Sequence, residues 1–403
     1  MAAYADTLAQ WAHSYQPGAD DLALAERSLL DTLAVTLAAR DHEVARLAAP
    51  LPDAARWAAV GHVLDFDDVQ IESTSHVSVV TVAATLAAGG DARAYLAGAG
   101  VMTRLGALLG WPHYAAGWHA TCTQGAPAAA VAAGIALGLT PEQLAIAMAL
   151  ALPAAGGVQA AFGTHTKSLQ VGFAADAGVR AARLAAAGAT ADPRSLDQWL
   201  TLLAGTGGAV DTGTTAVPGG LAIKLHPCCY AMQRPIAALR ELTARVGAID
   251  PTQVTEVVVT TPEASMQPLI HDRPTTGLAG KFSMPYAIAT TLLDGFPDFT
   301  SFTDSAVNRR EAQQLVHVVK IVRTEGGDDL LWGEIDIRLR LADGTTHHTV
   351  LSQPPGAPRR APSTTDLRAK FAACGTDVHD LLGGTDWTSA RGLLNNEIAA
   401  IGH

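Results

Sequence analysis

The segment Gly61-His62-Val63-Leu64-Asp65-Phe66-Asp67-Asp68, followed by Ser75-His76, places three carboxylates within four residues. Acids that close repel one another, and a folded chain tolerates them only with cationic or hydrogen-bonding partners. Two readings stand: a solvated helix start, where acids favour the dipole, or an acid–base site. Leu64 and Phe66 oppose full solvation, because they draw alternate residues inward. His76 beside these acids is a candidate general base or acid, or a hydrogen-bonded polar residue without catalytic work. Gly117-Trp118-His119-Ala120-Thr121-Cys122-Thr123-Gln124-Gly125 carries a second histidine in a loop entering an Ala-rich stretch. Backbone N–H groups there can face a carboxylate, or the loop can simply cap the helix.

Two lysines sit in apolar surroundings. Lys167 lies in Thr164–Leu169 and Lys224 in Leu221–Tyr230. Lysine is seldom buried without a partner, so both are candidates for gripping substrate carboxylates, or else snorkelling side chains. Cys229 can be a nucleophile, but no base pairs with it in the sequence, and small buried thiols are usually inert. Gly280-Lys281-Phe282-Ser283-Met284-Pro285-Tyr286 opens a helix, with Tyr286 one turn inside, where its hydroxyl can reach a cleft or simply stay wet.

The elements that position these residues change character along the chain. The first 245 or so residues read as helices. Leu22, Leu29, Leu33 and Leu37 mark one over Asp21–Arg40, and Thr140-Pro141-Glu142-Gln143 is a capping box with Pro in the first turn. Pro153 and Gly156-Gly157 end that helix, and another is predicted from Val171 to Gly188. Strands are predicted at Gln253–Thr261 and Val318–Thr324, with a hairpin of Glu334–Leu341 and His347–Leu351 around Asp343-Gly344. Ser283–Leu293 between them reads as a helix, and Thr376–Ile401 reads as helical again. The Gly205–Gly213 run is a loop without the Lys-Ser/Thr of a phosphate loop. The expected fold is therefore mainly α: a large helical domain over 1–245, completed by about 371–403, and a smaller α+β domain over 246–370.

Composition narrows the function. Of 403 residues, 49% are hydrophobic and 16% charged, which excludes a disordered chain. Aromatics are scarce at 5%, while Ala and Gly are abundant, the material of closely approaching helices. A net charge of −11 without a basic face argues against nucleic acid. The four cysteines, Cys122, Cys228, Cys229 and Cys374, have no zinc or disulfide spacing and read as reduced thiols. No secretory leader is expected, the Ala-rich stretch 126–161 reads as buried helices rather than a membrane span, and a cytoplasmic location is expected.

Six segments in this order resemble the MmgE/PrpD family: HVLDFDD at 62–68 with His76, GWHATCTQG at 117–125, THTKSLQVGFAADAG at 164–178, AIKLHPCCY at 222–230, TGLAGKFSMPYAIATTLLDG at 276–295 and LADGTTHHTV at 341–350. Members include 2-methylcitrate dehydratase, cis-aconitate decarboxylase and iminodisuccinate epimerase. The resemblance implies a helical domain with an α+β lid, a homodimer, and a site in the cleft between them that uses no metal or other cofactor. It places active-site residues at Asp65, His76, His119, Lys167, Lys224 and Tyr286; beside these, Thr123, Cys229, Lys281 and Ser283 are expected as further substrate contacts. The implied chemistry is proton transfer beside a carboxylate of a small polycarboxylic acid. Lys167 and Lys224 would bind carboxylates and stabilise the carbanion, His76 or Tyr286 would exchange the proton, and Asp65 would orient His76. A dehydratase-like lyase is the leading expectation, followed by an epimerase, a decarboxylase, and a binding protein without catalysis. The chain departs from decarboxylase-like members at Val69, where they carry Thr, and at Cys229, where they carry His. The stretch from Asp68 to His76 is one residue longer, and the segment between Val44 and Ala58 looks shortened.

Overall fold

The computed structural model describes residues 3–375 and 382–398. Among the described residues, eleven α-helices precede the first strand: α1 (Tyr4–Ser14), α2 (Ala19–Ala38), α3 (Glu43–Ala48), α4 (Asp53–Val63), α5 (Val77–Ala88), α6 (Ala92–Ala115), α7 (Ala120–Ala136), α8 (Pro141–Ala151), α9 (His165–Ala186), α10 (Ser195–Leu202) and α11 (Tyr230–Val246). The capping box at Thr140 forms as expected: its hydroxyl accepts from the Gln143 amide, and the Gln143 side chain accepts from the Thr140 amide. Helix α9 starts six residues before the predicted Val171, because Thr164 caps it and so brings Lys167 into the first turn. Helix α6 is broken at Gly110, which adopts φ +67°, with Pro112 two residues on. That break turns Tyr114 out of line with the rest of the helix.

Glycine makes the expected close packing. A Cβ on Gly178 of α9 would stand 2.4 Å from the Ala129 Cβ of α7, and one on Gly98 of α6 would stand 2.6 Å from that of Ala132. The large core that results joins residues of α1 to α10 with Leu221, and also with Cys374, Leu382, Ala390, Leu394 and Ile398 near the C-terminus.

The remaining elements are β1 (Val254–Pro262), α12 (Glu263–Met266), α13 (Gly277–Gly280), α14 (Met284–Asp294), α15 (Asp304–Val307), α16 (Arg310–Val318), β2 (Val319–Thr324), β3 (Ile335–Leu341), β4 (Thr346–Leu351), α17 (Thr364–Ala373) and α18 (Ala390–Glu397). The sheet runs β2-β1-β3-β4; β1 and β2 are parallel, while β1/β3 and β3/β4 are antiparallel. All four strands and the hairpin fall where the β-branched runs and Asp343-Gly344 predict them. Ile335, Ile337 and Leu339 alternate inward and join a second core with residues of α11, α14 and α16. Helix α11 thus packs with the sheet although its sequence reads as part of the helical run. Of the tail predicted as helical over Thr376–Ile401, Ala390–Glu397 is helix (α18) while 383–389 is turn and irregular chain; positions 376–381 and 399–401 lie outside the described residues. No helix among the described residues is long and apolar enough to cross a membrane.

Candidate active site

Three helices begin on residues whose side chains do not cap them. His76 precedes α5, His119 precedes α7 and Cys229 precedes α11, each without a side-chain cap bond. Their side chains are therefore free to face a narrow cleft, which Asp65, His76, His119, Lys167 and Cys229 line together with Tyr114, Thr121, Phe162, Tyr230 and Leu330. The positive ends of three helix dipoles converge on this space and favour an anion there.

Asp65 holds the centre. It follows α4 in a left-handed conformation, φ +53°. Lys167 donates to Asp65 Oδ1 at 3.0 Å and Lys224 donates to the same oxygen at 2.9 Å. Lys167 also donates to His62 Nε2 at 2.5 Å. Since that nitrogen accepts, the His62 proton sits on Nδ1, which meets Asp67 Oδ2 at 2.8 Å. His76 Nδ1 lies 3.0 Å from the same Asp67 oxygen, out of line for a hydrogen bond, and its Nε2 lies 3.6 Å from Asp65 Oδ1. The result is a closed ring: Asp65, Lys167, His62, Asp67, His76.

The charges in this ring are settled by burial against pairing. Burial disfavours ionised Asp65, but the ammonium groups of Lys167 and Lys224 outweigh it and hold the carboxyl well below the usual range. Asp67 is likewise low, with burial outweighed by His62 and His76. Burial pushes His76 down to about 3 in spite of Asp67, and it depresses His62 and His119 as well, so all three rings are neutral near pH 7. His119 Nδ1 accepts from Gln170 Nε2 at 2.6 Å, which leaves the proton on Nε2. That nitrogen, Asp65 Oδ2 and Asp67 Oδ1 are buried with no protein partner.

Not every expected residue is on the cleft wall. Lys224 is fully buried behind Asp65, donating to its carbonyl as well as its carboxylate, so it sets the acid rather than touching a ligand. Lys281 donates to the carbonyls of Leu64 and Pro227 and lines a smaller cavity behind Asp65; burial lowers its pKa to about 8. Tyr286 is drawn away because its hydroxyl donates to the Ser301 carbonyl and its ring packs against Phe302. Thr123 hydrogen-bonds His113 Nε2, and Ser283 caps α14; neither lines the cleft. Cys229 is on the wall, its thiol pushed up to about 12 by burial, which makes it a poor nucleophile. The three adjacent acids divide: Asp68 turns away, accepting from the Ser78 amide and hydroxyl, and burial raises it to about 7.

His62 and Asp67, both inside the quoted motif, are ring members that no residue-by-residue sequence argument selected. A period argument could have found Asp67, two residues from Asp65. Tyr114 had no signal beyond the Gly110/Pro112 break.

His62, Asp65, Asp67 and His76 offer atoms within 4.8 Å of one another, the donor types of a divalent-metal site. Two ammonium groups already share Asp65 Oδ1, and Lys167 faces His62 Nε2, so a dication there would meet two buried positive charges.

A mainly helical protein with a small mixed sheet and a buried carboxylate–imidazole–ammonium ring is the class defined here. Residues 48–207 match the MmgE/PrpD N-terminal domain and residues 226–381 the MmgE/PrpD C-terminal domain; the chain belongs to the MmgE/PrpD family. It is 28% identical over 307 residues to a cis-aconitate decarboxylase of Aspergillus terreus, covering 67% of this chain and 62% of that protein. The cis-aconitate decarboxylases of Mus musculus and Homo sapiens are each 26% identical, over 64% of this chain and 55% and 56% of theirs. The chain thus spans between 55% and 62% of the length of these curated relatives.

Proposed function

We propose that the chain is a lyase acting on a small di- or tricarboxylic acid by proton transfer at a carbon next to a carboxylate, without a cofactor. The observation that carries this is the neutral His76 held between ionised Asp65 and Asp67 on the wall of a cleft that favours anions. Three ammonium groups (Lys167, Lys224, Lys281) against two carboxylates (Asp65, Asp67) leave one positive charge for a substrate carboxylate to balance.

His76 moves the proton. Asp67 and Asp65 stabilise the imidazolium that forms when it accepts one, and they are held ionised for that purpose. Lys167, with a donor beyond those on Asp65 and His62, and the His119 Nε2–H bind the substrate carboxylate and the enediolate charge that develops on it. Lys224 keeps Asp65 ionised and in place. Phe162, Tyr114, Tyr230 and Leu330 keep the cleft dry, which strengthens each of these interactions. In a dehydration, His76 would take the proton from carbon and pass it to the departing β-hydroxyl, which leaves as water; in a decarboxylation, the C–C bond would break, CO₂ would leave and the carbanion would take a proton that His76 relays from water. Similarity to cis-aconitate decarboxylases favours the second reading, and the departures at Val69 and Cys229 weigh against it. We further propose that the 246–370 part acts as a lid on a helical domain of 1–245 completed by about 371–403, in a homodimer.

Incubation with citrate, 2-methylcitrate, cis-aconitate and iminodisuccinate, followed by NMR in D₂O, tests the reading. Alkene formation indicates dehydration, CO₂ with a deuterated product indicates decarboxylation, and deuterium uptake without net conversion indicates epimerisation instead of a lyase. Full turnover by both His76→Ala and Lys224→Ala would overturn the site.

A further inference from the structure

Three consecutive backbone carbonyls around Asp65 are each held by a different buried lysine. Leu64 O accepts from Lys281 Nζ, Asp65 O from Lys224 Nζ and Phe66 O from Lys370 Nζ, every contact 2.9 Å. The three lysines come from three separate stretches: Lys281 follows α13, Lys224 precedes α11 and Lys370 lies on α17. The turn they hold needs holding. Asp65 is a non-glycine residue at φ +53°, a conformation that costs free energy and persists only where the surroundings over-determine it. The left-handed step fans successive carbonyls outward, and each points at an ammonium group.

Lys370 lies outside every motif that carries the family resemblance. It is 2% exposed, pairs with the equally buried Asp31 of α2 at 2.7 Å, and lies 4.4 Å over the Phe66 ring. A buried pair adds little net stability over well-packed apolar side chains of similar size. The contact to the Phe66 carbonyl sits one residue from Asp65 and one from Asp67, the two acids of the ring.

We propose that Lys370, kept in place by Asp31, is a positioning residue for the reaction: through the Phe66 carbonyl it fixes the left-handed turn, and so places both the Asp65 and Asp67 carboxylates against Lys167, His62 and His76. The proposal rests on the proton-transfer reading above for its kinetic consequence, but not for its structural one. The C-terminal segment is thereby part of the active-site frame: α17 must be docked for the acids to be in register.

The test compares wild type with Lys370→Met and with the double variant Asp31→Leu/Lys370→Met. The single variant leaves Asp31 buried without its partner and is expected to lose stability; the double variant removes both charges and is expected to melt near wild type. Hydrogen exchange of the 62–70 segment, read by mass spectrometry, is expected to be about tenfold faster in the double variant while the α7 and α9 segments keep their protection. With the substrate that the wild type turns over, kcat is expected to fall roughly 10- to 100-fold, with KM changed far less. Wild-type exchange at 62–70, an unchanged kcat, or failure of the double variant to fold would each overturn the proposal, the last by making the pair a folding element only. If the wild type turns over none of the four acids, the proton-transfer reading fails while the exchange experiment still decides whether Lys370 holds the turn.

Discussion

Arg104 and Lys224 are both buried cations that grip loop carbonyls, yet they do different things. Arg104 donates to the carbonyls of Gly100, Asp211, Gly213, Thr215 and Ala216 and stacks over Trp11 at 3.6 Å. Arg234 does the same for the carbonyls of Leu331, Trp332, Gly333 and Ser352. Burial lowers both to about 10, which leaves them charged at neutral pH. A planar fork with five donors suits many neutral acceptors at once, and no buried carboxylate is involved. Lys224 and its neighbours place compact ammonium groups where a carbonyl and a carboxylate oxygen meet. There the charges raise and lower one another's pKa values, which is what proton transfer needs. Buried charge in this protein therefore takes two forms, one that fastens loops and one that sets titration.

Four changes break or sharpen that contrast. Asp65→Asn removes the anion that Lys167 and Lys224 share. Turnover is expected to fall about 100- to 1000-fold, with a stability loss of about 3–5 kcal/mol from two unpaired ammonium groups; steady-state kinetics and urea unfolding measure both. Arg104→Met should behave oppositely, losing about 3 kcal/mol or more of stability as several carbonyls lose their donor while kcat of the folded fraction stays at the wild-type value. A parallel loss of kcat would erase the distinction.

Acid is the third probe. His62, His76 and His119 are depressed in the folded state, so between about 6.5 and lower pH the unfolded chain binds protons that the folded chain refuses. Stability contributed by their neutral forms is thus present above the usual histidine range and lost as pH falls, for His76 down to about 3. Asp65 and Asp67, also depressed, add to the loss below the carboxylate range. Asp68, raised to about 7, has the opposite sign: its contribution is present at low pH and fades as pH climbs to 7. His42, His113 and His226 are lowered as well and Asp31 is raised, so six histidines oppose two acids and melting temperature should drop from pH 7 to pH 4.5. His76→Asn should flatten that slope and Arg104→Met should not. The smallest effect is expected from Tyr286→Phe. Its hydroxyl serves the Ser301 carbonyl, so about 1 kcal/mol of stability goes and kcat stays within a factor of about three. A loss of several hundredfold would return Tyr286 to the reacting atoms.

Much of the fold is legible from local signals. The capping box at Thr140, the hairpin at Asp343-Gly344 and the β-branched runs each depend on a few neighbouring residues, and each element forms where they stand. Helix α9 was read short because a Thr cap followed by His-Thr-Lys carries little apolar periodicity. The break in α6 escaped because one Gly before a Pro in an Ala-rich run is a weak mark. At the site, Asp65, His76, His119 and Lys167 share one cleft; their types marked each as a separate candidate, and only the family resemblance grouped them. Tyr286 was misplaced because helical position says which face a side chain is on, not which acceptor captures its hydroxyl. His62 and Lys370 were passed over because a lone His or Lys has no local signature of its partner.

The sequence by itself determined the element types, the Ala/Gly packing that brings α6, α7 and α9 together, and the kinds of groups available for chemistry. Those follow from propensity, periodicity and composition, which are local. Only the tertiary structure decided which acids face the cleft, which histidine nitrogens carry protons, and that four lysines from distant stretches serve one turn. Asp67 and Asp68 are adjacent and chemically identical, yet one lies well below the usual carboxylate range and the other near 7, because pairing and desolvation depend on residues far away in the chain.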